Sequence, residues 1–211
     1  MAVRPPSVDD ALLDRLLALA DLPWSYRAFE NAFVRNGWHH VGDDGRPVIG
    51  WLDAWPVGGH WLELGEYPGC GDDADAVCDH PQCRADCSVV LPFAHVTDGE
   101  APEGWDGDGG AREYDAAWDR MTERLSARLG SPEPPGPRTH EPESASRSVV
   151  WSRGDAWIVL LDGDDPFSYG SWQRAGIEVR PRSDDGAASP PGRIAEVLDL
   201  ITERQNPFKA G

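Results

Sequence analysis

Residues 148–162 read SVVWSRGDAWIVLLD. Two apolar runs flank Arg153-Gly154-Asp155, and turn residues set between β-branched and aromatic runs predict an antiparallel hairpin. A shorter strand is expected from Ala175 to Arg180, completing a meander. Strands that follow one another without an intervening helix are not βαβ units. The fold class expected is therefore α+β, an antiparallel sheet with helices packed on one face.

Outward from this stretch, residues 131–146 hold five prolines and few apolar side chains, which predicts a long loop or spacer. Before it, Tyr114, Trp118, Met121 and Leu125 recur at helical spacing, so a helix is expected from about Glu113 to Leu129, stopped by Gly130. Beyond the meander, Ser189 caps a last helix whose face carries Ile194, Val197, Leu198 and Ile201, with Pro190 and Pro191 at its start. Ser88 to Val96 (SVVLPFAHV) reads as a strand in which Pro92 marks an edge or a bulge. The runs RPVIGWLDAW and HWLELGEY read as extended, with turns at Asp43-Asp44-Gly45 and Pro56-Val57-Gly58-Gly59.

Two helices open the chain. Leu12, Leu13, Leu16, Leu17 and Ala20 make one apolar face behind a capping box at Ser7 and Asp10, and Pro23 bars continuation. Phe29 and Phe33 sit four apart on a second helix that starts near Ser25 and ends at Gly37. The organisation expected is an N-terminal part (1–97) with a Cys-rich insertion at 67–87, an acidic Gly-rich connection at 98–112, and a C-terminal part (113–211). The parts either form one compact domain or stand as two loosely similar lobes.

Charge narrows the function classes. The chain has 211 residues with 37 acids and 19 bases, a formal charge of −18; Lys209 is the one lysine, beside 18 arginines. Such a chain is a poor binder of nucleic-acid backbones and of anionic membranes. From Glu63 to Asp108 there are twelve acids against one base, Arg84, a net −11 over 46 residues. The bland account is solubility; the functional one is a negative surface that steers and docks a basic protein. Asp72, Asp73, Asp75, Asp79, Asp86 and Asp98, with Trp105, are the candidate contacts. Neither Asp72-Asp73-Ala74-Asp75 nor Asp162-Gly163-Asp164-Asp165 has a full calcium-loop spacing.

All four cysteines, Cys70, Cys78, Cys83 and Cys87, fall within 18 residues, with His80 among them as a spare donor. Four such donors converging on one point suit structural zinc; disulfides and unbonded thiols are the alternatives. Four thiolates would close the shell against catalysis. The ten tryptophans favour core and sheet-face positions, with some left to anchor a partner. His39, His40 and His60 lie near turns, and a cleft joining them to carboxylates would raise an enzymatic reading. No phosphate loop, dinucleotide fingerprint, nucleophile elbow or zinc-protease motif is present. In the first 24 residues Asp9, Asp10, Asp14 and Arg15 interrupt the apolar positions, unlike a secretory signal, and a cytoplasmic location is expected.

Three stretches, LPWSYRAFENAFVRNGWHH, ERLSARLGSPEPPGP and VVWSRGDAWIVLLD, resemble the Trp-rich α+β proteins encoded beside secreted toxins in high-GC bacteria. The likeness covers about half the chain. It implies an immunity protein that occludes a toxin domain, and carries over no individual functional residue. The competing expectations are an acidic nucleic-acid mimic or regulatory adaptor, and an enzyme without a recognisable motif.

Overall fold

The computed structural model describes residues 2–4, 8–51, 54–57, 60–65, 68, 75–77, 87–97, 110–134, 147–164 and 172–182. Among these, the elements in chain order are β1 (Ala2–Arg4), α1 (Asp10–Leu17) running into a 3-10 turn (Ala18–Asp21), and α2 (Tyr26–Asn36). Then follow β2 (His40–Val41), β3 (Pro47–Val48), β4 (Ala54–Val57), β5 (His60–Leu64), β6 (Val89–Thr97), α3 (Ala111–Leu129), β7 (Arg147–Arg153), β8 (Ala156–Asp164) and β9 (Trp172–Pro181). The class is α+β, as the hairpin reading implied.

The main sheet runs β4-β5-β6-β9-β8-β7, with β1 beside the end of β6, and every pairing is antiparallel. The expected hairpin is β7–β8: Arg153 pairs with Ala156 across Gly154 and Asp155. Gly154 holds φ 58°, where a Cβ would also meet the Ala20 carbonyl oxygen at 3.3 Å, so glycine is required twice over. Strand β9 extends past the predicted Ala175–Arg180 at both ends, because it pairs in register with β8 from Ala156↔Pro181 to Asp164↔Gln173. It also pairs with β6 from Val89↔Val179 to Thr97↔Trp172, which joins the N-terminal and C-terminal strands in one sheet.

Strand β6 is interior to the sheet, and Pro92 is accommodated by a register shift between Pro92 and Ala94. A bulge places the imino acid where no ladder bond is lost. Helix α1 is capped by Asp9, whose carboxylate accepts from Leu12 N at 2.6 Å; Ser7 lies outside the described residues. Helix α2 begins at the Ser25 cap and ends at Gly37, φ 72°, as its sequence predicts. The start of the Pro-rich segment runs along β7, where Glu133 N donates to Val150 O. The rest of that segment and the expected C-terminal helix lie outside the described residues.

Alternation along the strands sorts the two faces. Ala175, Ile177 and Val179 of β9, Ile158 and Leu160 of β8, and Val89, Leu91 and Val96 of β6 join one apolar core with Leu12, Leu13, Leu16, Phe29, Phe33, Trp118 and Leu125 of the three helices. Arginines tie the helices together at the rim. Arg128 bonds Asp14 and Asp10 at 2.7 Å each, and Arg124 bonds Asp10 at 2.8 Å. Those two hydrogen-bonded guanidiniums, Arg124 first, hold the Asp10 carboxyl below its ordinary range.

At the α3–sheet junction, Tyr114 Oη donates to buried Asp162 at 2.6 Å, and Arg147 Nε donates to its other oxygen at 3.1 Å. Burial and then this bond push the Tyr114 phenol well above its ordinary value. The Arg147 guanidinium lies 4.4 Å from the Trp118 ring centroid.

Candidate partner-binding surface

The segment Trp38–Trp51 leaves α2 at Gly37 and returns to the core as a ribbon. Strands β2 and β3 pair only with each other, His40↔Val48 and Val41↔Pro47, and form a sheet separate from the main one. The turn is made locally. Asp44 Oδ1 accepts from Arg46 N at 3.0 Å, Gly42 N donates to Arg46 O at 2.8 Å, and Gly45 takes a positive φ.

The base of the ribbon is fixed by aromatic packing. Trp38 is 3% exposed, with its ring 5.8 Å from that of Phe33. On the returning side, Trp51 packs 5.5 Å from Phe33 and 6.3 Å from Phe29, and Ile49 joins the same core. Arg15 of α1 sits 5.9 Å over Trp38. Both ends of the excursion are thus anchored on α2, while its strands are exposed. Val41 is 70% and Val48 47% exposed. Register puts them on opposite faces of the ribbon, and exposed Asp43 and Asp44 occupy the tip. The ribbon thus carries one exposed valine on each face, Asp43, Asp44 and Arg46 at its tip, and packed tryptophans at its base.

Of the candidate contacts read from sequence, Asp75 is exposed and lies 3.7 Å from Arg27 Nε on α2. Asp72, Asp73, Asp79, Asp86, Asp98 and Trp105 lie outside the described residues, as do Cys70, Cys78, Cys83 and His80. Cys87 is 2% exposed and belongs to the apolar core. Among the described residues, no group of three or more His, Cys, Asp or Glu is placed to hold a metal. Trp24, Trp38, Trp118 and Trp151 are core residues, whereas Trp51 and Trp157 are half-buried. His40 is exposed and His39 half-buried, and His60 opens β5.

The sheet face opposite the helices carries charges that sequence reading passed over. Glu63, Arg174, Glu178 and Arg180 are each 7% exposed or less, beside Val90 and Val159 at 0%. Arg174 Nη1 bonds Glu63 Oε1, and Arg180 Nη1 lies 3.8 Å from Glu178 Oε2. Their signal is the alternation in RAGIEVR, where apolar Ala175, Ile177 and Val179 face the core and Arg174, Glu178 and Arg180 face away. The ribbon left a weaker signal, two isolated valines in a polar turn.

Among the described residues no helix is long and apolar enough to cross a membrane. Comparison of the chain with family models, with curated proteins and with solved structures finds no match in any of the three.

Proposed function

We propose that this chain is a protein-binding module of the immunity type, acting in the cytoplasm on a basic toxin domain by inserting the β2–β3 ribbon into the toxin's cleft. The observation that carries the reading is the ribbon itself, with exposed Val41 and Val48 on a base anchored by Trp38 and Trp51. The charge of −18 supports a basic partner, since opposite fields raise association rates and fix orientation. Exposed Asp75 beside α2 adds the same sign of charge, and the sequence between Glu66 and Asp108 is rich in further acids. Anchoring limits the ordering entropy lost on binding, which favours affinity.

The cysteine segment fits the same proposal as a staple. Zinc held by Cys70, Cys78 and Cys83 would fix the shape of an otherwise acidic, irregular stretch. Cys87 is buried in the apolar core, and either it or His80 would complete the fourth position.

The test is affinity capture from the native host at low salt, with wild-type chain and with Val41→Ser/Val48→Ser. Wild type should retain a basic protein that the double variant loses. Burying both valines is worth about 2 kcal/mol at their observed exposure, roughly 30-fold in Kd. If a toxin gene lies immediately upstream, co-expression should also restore growth to cells producing that toxin. Capture of the same proteins by both forms would reject the ribbon as the contact.

A further inference from the structure

Strand register lines up one row of side chains on the sheet face away from the helices. Glu63 pairs with Val90, Val90 with Glu178, Glu178 with Val159 and Val159 with Val150, so the row crosses β5, β6, β9, β8 and β7. Its middle is closed to solvent. Val90 and Val159 are 0% exposed, and the charged Glu63, Glu178, Arg174 and Arg180 around them are nearly as buried. Out at the edge strand β7, Val150 is only half-buried. An antiparallel sheet with one uncovered face keeps that face wet, and charged side chains on it stay hydrated. A second layer therefore lies over β6, β9 and β8.

The described helices do not supply it. Their buried apolar side chains share one core with the opposite face, and neither Val90 nor Val159 belongs to that core. The β2–β3 ribbon is anchored on α2, and Glu133 runs along the edge of β7. The excursion between β5 and β6 is held on the helix side, with Asp75 3.7 Å from Arg27 of α2 and Cys87 in the helix-side core. Residues 98–109 lead to α3, and neither they nor 135–146 carry a periodic apolar face. Residues 183–211, which follow the interior strand β9, do carry one. Their spacing predicts a helix with Ile194, Val197, Leu198 and Ile201 along one side and Glu196, Asp199 and Glu203 along the other.

We propose that residues 183–211 fold back over this face as an amphipathic helix, seating the Ile194–Ile201 stripe on Val90 and Val159. The sheet becomes the middle of three layers. The lengths agree. Pro190 to Ile201 makes about 18 Å of helix, and the three strand spacings from β5 to β8 make about 14 Å. Ser183 to Ser189 reaches up to about 23 Å when extended, enough to turn back from the end of β9. This docking is separate from the β2–β3 ribbon and stands whether or not the ribbon binds a toxin.

Photo-crosslinking in the full chain tests it. Leu198→p-benzoylphenylalanine should crosslink within the chain to peptides carrying Val90, Val150 or Val159, and the same replacement at Glu203 should not. Crosslinks from position 198 to α1, α2 or α3, crosslinks to a second copy, or none at all, would overturn the docking. Thiol labelling read by mass spectrometry gives an independent measure. Val159→Cys should be protected in the otherwise native chain, and adding Ile194→Glu and Leu198→Glu should speed its labelling at least about tenfold by opening the layer locally. Cys87, in the helix-side core, should stay slow and so report that the rest of the fold is intact. Continued protection of position 159 in that variant would assign the cover to another segment and overturn the proposal; if Cys87 is exposed as well, the crosslinks decide.

Discussion

Replacing Arg147 with methionine tests how α3 is locked to the sheet. The substitution keeps the aliphatic stem and removes the guanidinium. Besides a 5.7 Å contact with the Tyr114 ring, three interactions go with it. The first is the 3.1 Å bond from Nε to Asp162, whose side chain is 7% exposed; a bond to a buried charged group is worth about 1.5–3 kcal/mol. The second is the cation–π contact with Trp118 at 4.4 Å, about 0.5–1 kcal/mol at a partly exposed site. The third is the 2.8 Å pair with Asp115, which is 57% exposed and so adds only a few tenths of a kcal/mol. The expected loss is about 3 kcal/mol, most of it from leaving the Asp162 carboxylate without its cation. For a chain of this size that lowers the melting temperature by roughly 6–12 °C. Urea unfolding of Arg147→Met, Asp162→Asn and the double variant at neutral pH reads the energy directly. The double variant should be milder than the sum of the singles by about 1–2 kcal/mol, because residues in one network couple. A loss below about 1 kcal/mol for Arg147→Met, or strict additivity, would refute the lock.

Asp10 predicts a pH dependence. Its folded-state pKa is depressed by Arg124 and Arg128, so its contribution is present above the unfolded carboxyl's pKa and is lost as pH falls through the lower folded value. Urea midpoints of wild type and Asp10→Asn should therefore differ at neutral pH and converge in acid; a gap that persists in acid would contradict the pairing. Gly154→Ala forces a side chain into positive φ against the Ala20 carbonyl and should cost about 1–3 kcal/mol in chemical unfolding, whereas an unchanged midpoint would mean the turn adapts. For the proposed zinc, protein purified without chelator should carry about one metal ion per chain, and Cys83→Ser should lower both metal content and unfolding midpoint. A metal-free wild type of unchanged stability would remove the staple from the account.

Periodicity made most of the architecture legible. Phe29 and Phe33 with the Ser25 and Gly37 caps set α2, and SVVWSRGDAWIVLLD set β7–β8, because local pattern and tertiary packing agree there. Pro92 shows the limit. Its residue type allows an edge or a bulge, and only the pairing of β6 with strands on both sides decides between them. The ribbon was visible as the turn Asp43-Asp44-Gly45, but its exposure was not, since it depends on Trp38 and Trp51 both being drawn back to α2. The Trp157–Arg180 pairing was illegible for a related reason. Trp157 and Arg180 are 23 positions apart, and strand register alone makes them neighbours. The acidic candidate contacts rest on charge density, a signal that marks a kind of partner without fixing which side chains touch it.

The most direct test of the ribbon as a partner-binding element is quantitative capture from the native host, comparing wild type with Val41→Ser/Val48→Ser at low and high salt. The account predicts one enriched basic protein, retained by wild type at low salt, weakened by salt and lost from the double variant. Recovery of no specific protein, or equal recovery by both forms, would contradict it.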